Sequence, residues 1–123
     1  MKSFLLVFLG GGLGSALRYL VASAMNQYSK VLPFGTFTVN ILGCLLIGMI
    51  LGYAQKENTI TSNHTLLLAT GFCGGFTTFS AFANENVELI KNGEIFNFSI
   101  YTTTSIIVGI LAVFIGYYAV MNK

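Results

Sequence analysis

Charge is what this 123-residue chain has least of: only 8% of its residues are Asp, Glu, Lys or Arg. A soluble globular domain carries roughly 25%. Six basic and four acidic side chains cannot clothe the surface of a water-soluble domain of this length. Tryptophan is absent, proline occurs once (Pro33) and histidine once (His64). A single His and two Cys supply no cluster of metal-ligating side chains. Cys44 and Cys73 both sit inside apolar runs, which excludes a disulfide scaffold. A net charge of +2 on scattered Lys makes no basic patch, so no nucleic-acid partner is expected. No phosphate-cradling glycine loop is followed by Lys and Ser or Thr, so no nucleotide is expected either. Disorder is excluded too, since it needs low hydrophobicity and high charge.

What remains is apolar. Hydrophobic residues make up 54% of the chain, and they gather into runs long enough to cross a bilayer, which takes about 20 residues as a helix. Four spans are expected, at about 4–25, 34–53, 65–89 and 97–121. The expectation is an all-α membrane protein, one four-helix transmembrane domain covering 1–123. The first run is longer than the roughly 7–15 apolar residues of a signal peptide. It also continues through Arg18 and Tyr19 without a convincing cleavage site, so it reads as a span. With four spans, Lys2, Lys56 and Lys123 share one side of the membrane, while Lys30, Lys91 and Arg18 take the other. Orientation follows Lys and Arg bias, and here the two sides balance. Balance of this kind suits insertion both ways and pairing as an antiparallel homodimer.

Glycine is abundant, with 14 residues. Gly10 and Gly14, Gly48 and Gly52, and Gly71 and Gly75 each stand four apart, a spacing that lets membrane helices approach closely. The third span is unusual at its centre, Gly71-Phe72-Cys73-Gly74-Gly75-Phe76-Thr77-Thr78-Phe79-Ser80-Ala81-Phe82. Gly74-Gly75 followed by Thr77-Thr78 is poor helix material. Backbone released from a helix in hydrocarbon must be buried in protein or line a cavity, and broken helices there often present ion sites. A glycine-rich packing kink is the plainer alternative. Phe79 and Phe82 fall on one helical face, and ring edges are electropositive. Asn40, Ser80 and the hydroxyl run Tyr101-Thr102-Thr103-Thr104-Ser105 place neutral donors inside spans, where polar groups are costly. Some of those hydroxyls will bond back to their own helix.

Three stretches together resemble the small prokaryotic fluoride channels (Fluc/CrcB family). They are Gly11-Gly12-Leu13-Gly14-Ser15-Ala16-Leu17-Arg18-Tyr19, then Pro33-Phe34-Gly35-Thr36 through Asn40 to Gly43, and then Gly71 to Phe82 followed by Glu85. With the four-span layout, the resemblance covers almost the whole chain. It implies a fluoride-selective channel in the cytoplasmic membrane of a prokaryote, exporting the ion passively through two pores of an antiparallel dual-topology homodimer. It implies a third helix broken at mid-membrane. A structural Na⁺ at the two-fold axis would be held by backbone carbonyls of Gly74 and Thr77. Asn40, Phe79, Phe82 and Ser80 would form the fluoride pathway, with Arg18 and Glu85 as vestibule or interface charges. Many members carry Thr between that Ser and the second Phe; this chain has Ala81.

Two other functions fit four spans of this size. A small multidrug-type transporter with dual topology would use an acidic residue in the first span, and this first span has none. A non-transporting scaffold would use the glycine faces alone and carry no ion. An enzyme is not expected, because the spans offer no nucleophile, base and orienting group together.

Overall fold

The computed structural model describes residues 1–57 and 60–123, and its spans are helical except at Thr77 and Thr78. The elements are α1 (Lys2–Asn26), α2 (Phe34–Glu57), α3 (Ser62–Thr65), a π-helical segment (Leu66–Cys73), α4 (Gly74–Phe76), α5 (Phe79–Lys91) and α6 (Ile95–Met121). The four stretches long and apolar enough to cross a membrane are Lys2–Asn26, Phe34–Lys56, Ser62–Lys91 and Ile95–Met121. They match the expected spans and extend them by a few residues at most ends.

The extensions come from local capping. At the start of the third span the Thr61 hydroxyl accepts from the His64 N–H, and the His64 ring accepts from the Thr61 N–H. This reciprocal cap pulls the helix start back to Ser62. His64 is exposed as a polar-loop residue would be, but it lies inside α3 and caps it. Asn26 at the end of α1 accepts from the Gly35 N–H at 3.0 Å, so the first helix caps the second. After α5, Gly93 adopts φ 74°. Its N–H donates to the Ile90 carbonyl at 3.0 Å, and the Glu94 N–H donates to the Leu89 carbonyl at 2.8 Å. That pair of bonds is the Schellman stop, which favours glycine at the left-handed position. The loop between α2 and α3 includes 58–59, which lie outside the described residues.

Packing is inverted relative to a soluble protein. Phe4, Phe8, Leu13 and Leu20 of α1 are each more than 60% exposed, as suits a lipid-facing surface. The buried positions include Val39, Ala69, Cys73 and Ala112, with Thr36, Thr78 and Asn86 among them. Two seams of glycine hold the bundle. Along one, α1 lies against the π-helical segment and α4, with a Cβ at Gly10, Gly14 or Gly75 meeting the backbone of Leu67, Phe72 or Gly11 respectively. Along the other, α2 lies against α6, where a Cβ at Gly48 or Gly116 would meet the Val113 or Leu45 carbonyl. Removing the Cβ lets these backbones touch.

The interruption in the third span falls later than the glycines suggested. Gly74 and Gly75 are helical, and it is Thr77 and Thr78 that are extended, at φ −84°, ψ 161° and φ −151°, ψ 117°. Gly75 stays helical because its packing on Gly11 needs a helical surface there. The β-branched threonines favour extended backbone; the N–H and hydroxyl of both find partners, as does the Thr78 carbonyl.

Candidate functional site

Asn40 projects from α2 onto the Thr77–Thr78 interruption and binds it with both ends of its amide. Its Nδ2 donates to the Thr78 carbonyl at 3.1 Å, and its Oδ1 accepts from the Thr78 N–H at 2.7 Å. The Thr78 hydroxyl accepts from the Ala81 N–H at 3.1 Å, capping α5, and lies 3.2 Å from the Ser80 hydroxyl. The Thr77 hydroxyl donates to the Cys73 carbonyl at 2.9 Å. The methyl of Thr77 occupies the space left by the missing Cβ of Gly43.

Around this interruption lies a cavity of about 470 Å³, lined by Asn40, Gly74, Thr77, Thr78, Phe79, Phe82 and Ser105 among others. Its surface is mostly apolar, with a few convergent polar groups, the usual composition of a ligand site. Phe79 and Phe82 sit with ring centroids 5.8 Å apart and planes at 46°. Phe82 also meets the Tyr101 ring at 5.2 Å and 58°. Phe79 is 78% exposed in the single chain.

A second, more polar cavity of about 950 Å³ is lined by Arg18, Lys30, Thr36, Ala81, Glu85, Glu88 and Glu94, and again by Thr78. Thr78 therefore stands in the wall of both spaces. Glu85 is held from two sides: the Thr36 hydroxyl donates to one carboxylate oxygen, and the Tyr101 hydroxyl to the other at 3.5 Å. Arg18 shares this cavity with Glu85. The ion pair found among the described residues is Lys91 with Glu88 at 3.2 Å, so Arg18 and Glu85 are not paired with each other.

The residues singled out from sequence thus fall into two groups. Asn40, Phe79, Phe82, Gly74 and Thr77 share the first cavity, while Arg18 and Glu85 share the second. Ser80 lines neither; its hydroxyl is exposed beside that of Thr78. Three further residues had no site role assigned from sequence, although Thr78 and Ser105 belong to stretches named there. Thr78 joins the two cavities. Ser105 lines the first, and its hydroxyl is the buried side-chain polar atom left without a partner among the described residues. Its signal was the spacing of four from Tyr101, which puts both on one face of α6. Asn86 is buried and ties helices together, donating to the Phe82 carbonyl at 3.1 Å and accepting from the Thr102 hydroxyl at 3.0 Å. Thr102 therefore serves packing.

Comparison with known proteins bears on this arrangement directly. The family model described as "CrcB-like protein, Camphor Resistance (CrcB)" matches residues 5–117. The chain belongs to the CrcB family. It is 49% identical to the "Fluoride-specific ion channel FluC" of Phocaeicola vulgatus, over 94% of this chain and 96% of that protein. It is 48% identical to the protein of the same name from Gloeothece citriformis, over 98% of each. Against the one from Flavobacterium psychrophilum the identity is 44% over 94% of each. The CrcB match runs through all four spans, so both cavities and the interruption between them lie within the family's common region.

Proposed function

We propose that this CrcB protein is a fluoride channel, a multi-pass protein of a prokaryotic cytoplasmic membrane through which the ion moves passively. The observation that carries the proposal is the first cavity: the Asn40 side chain and the rings of Phe79 and Phe82 line one space, with Ser105 in its wall, and among the described residues no charged side chain lines it. The three relatives named above, each called a fluoride-specific ion channel, support the same reading.

Fluoride is small and strongly hydrated, so a pathway must replace its water. Asn40 spends one Nδ2 hydrogen on Thr78 and has a second to offer, since an amide carries two. Its oxygen is turned away by the Thr78 N–H, so the amide can present only its positive end to an anion. Ring edges add electropositive surface without a formal charge. Binding must be weak enough for exit, and an ammonium or guanidinium in the cavity would oppose that. Arg18 and Lys30 stay in the second cavity, beside Glu85, Glu88 and Glu94, and so stand apart from the first. Thr78, shared by both cavities, stands at the entrance, with the Ser80 hydroxyl 3.2 Å from its own.

The third span is proposed to break at mid-membrane, with Thr77 halfway along Ser62–Lys91. A structural Na⁺ would be held by the Gly74 and Thr77 carbonyls of two subunits, and when bound it supplies a fixed positive charge beside the pathway. The residues fit such an ion: both line the cavity, and among the described residues no hydrogen bond reaches either carbonyl. Carbonyl oxygens of unwound helices suit Na⁺.

An antiparallel homodimer completes this reading. Polar lining open to lipid is costly, and a second copy over the exposed Phe79 side would cover it. The balance of Lys2, Lys56 and Lys123 against Arg18, Lys30 and Lys91 lets both orientations form.

The test is efflux from proteoliposomes followed with a fluoride electrode, with chloride as the control ion. Fluoride release well above that of empty liposomes, and little chloride release, is expected. Absence of fluoride release overturns the proposal. Tagging the C-terminus should find it on both faces of one membrane; a single face would end the dual-topology reading.

A further inference from the structure

In a continuous helix the Gly74 carbonyl would accept from the Thr78 N–H, and the Thr77 carbonyl from the Ala81 N–H, because each partner lies four residues on. Here neither bond forms. The Thr78 N–H goes to Asn40 Oδ1 at 2.7 Å, and the Ala81 N–H goes to the Thr78 hydroxyl at 3.1 Å. Gly74 and Thr77, which both line the first cavity, are thus the two residues whose carbonyls have lost their helical donors to side chains. Other helix-end carbonyls nearby are occupied: that of Cys73 by the Thr77 N–H at 3.0 Å, and that of Gly75 by the Ser15 hydroxyl at 3.4 Å.

We propose that Asn40 and Thr78 are positioning residues for a cation site, opening the Gly74 and Thr77 carbonyls by drawing off the amide hydrogens that would otherwise close them. This rests on the sodium reading above and adds its cause. A buried N–H without a partner is strongly disfavoured, so the break persists only while substitutes for the lost helical acceptors are present. Asn40 comes from another helix, which makes the opening a tertiary property. Thr78 is in the break itself, and its own backbone is what Asn40 holds. The arrangement is therefore serial: Asn40 fixes Thr78, and Thr78 caps α5. The same contact leaves Asn40, which lines the cavity, with a second amide hydrogen unspent, so the cation site and the proposed anion donor share one orienting bond.

The experiment is thermal unfolding of the detergent-solubilised protein titrated with Na⁺, with K⁺ in parallel. Wild type should be stabilised by Na⁺ well below the K⁺ concentration giving the same effect. Thr78→Val keeps the side-chain shape and removes the acceptor for Ala81. It should raise the Na⁺ midpoint about tenfold or more, the scale of one lost buried hydrogen bond. Thr78→Ser, which keeps the hydroxyl, should restore it to within about threefold, well inside the range of one hydrogen bond. Asn40→Leu should shift the midpoint at least as far as Thr78→Val. A general loss of packing would lower stability equally in Na⁺ and K⁺ and leave the midpoint in place, which overturns the proposal. Should a variant not fold, wild type labelled with ¹³C at the Gly74 and Thr77 carbonyls decides: Na⁺ but not K⁺ should move both signals, and unmoved signals overturn it. A wild type indifferent to Na⁺ would instead sink the sodium reading itself.

Discussion

The two glycine seams make a natural pair. Along both, backbone meets backbone: Gly48 and Gly116 between α2 and α6, Gly10, Gly14 and Gly75 between α1 and the third span. Yet α6 runs unbroken from Ile95 to Met121, while the third span is π-helical over Leu66–Cys73 and extended at Thr77 and Thr78. Close approach through glycine does not by itself break a helix. What differs is the side chain that α2 offers to each. Asn40 faces Thr78 and takes both of its backbone polar groups. One turn later Cys44 faces α6, its sulfur 3.6 Å from where a Cβ of Gly109 would stand. A thiol is a poor substitute for a helical hydrogen bond, and an amide is a good one.

The largest effect expected from this contrast is at Asn40. Asn40→Leu should bring fluoride efflux down to that of empty liposomes, because it removes the anion donor and lets the break close. Retained efflux would mean that the interruption does not depend on α2. Next come the seams. Gly116→Ala and Gly75→Ala should each lower stability by roughly 1–3 kcal/mol, as overpacking does, measured by denaturation in detergent. Only Gly75→Ala should also reduce efflux among the protein that still folds, since its seam carries the break; equal losses would erase the distinction. Phe79→Ile keeps bulk and removes the ring edge, and efflux should fall up to about tenfold, the scale of one aromatic edge contact. The smallest effects lie outside both seams. Gly93→Ala, at φ 74°, should cost about 1 kcal/mol. Gly12→Ala, with open space around it, should be silent.

Much of this was legible in the residues. The four spans followed from apolar run length alone, and their ends shifted only where caps such as Thr61 with His64 and Asn26 with Gly35 were invisible to composition. The third span announced itself through Gly74, Gly75, Thr77 and Thr78, and of these only the threonines are extended. Propensity ranks glycine as the weaker helix former; tertiary packing of Gly75 on Gly11 reversed that order locally. Asn40, Phe79 and Phe82 could be named because polar or paired aromatic residues inside apolar runs stand out. Thr78, Ser105 and Asn86 could not be ranked, since hydroxyls and amides near a helix have many local uses, and only the fold shows which of them reach across.

Lys56 carries a consequence of a different kind. Its ammonium donates to the Val120 carbonyl at 3.2 Å, at the far end of the last helix. Val120 follows Lys56 by 64 residues, so it leaves the ribosome well after it. Until then Lys56 stands as a bare charge at the membrane surface, counted in full by whatever decides which way the chain faces. Once α6 arrives, the same ammonium keeps its charge but is tethered to a helix end. The inserting chain therefore presents this charge free, and the finished structure presents it fixed in place.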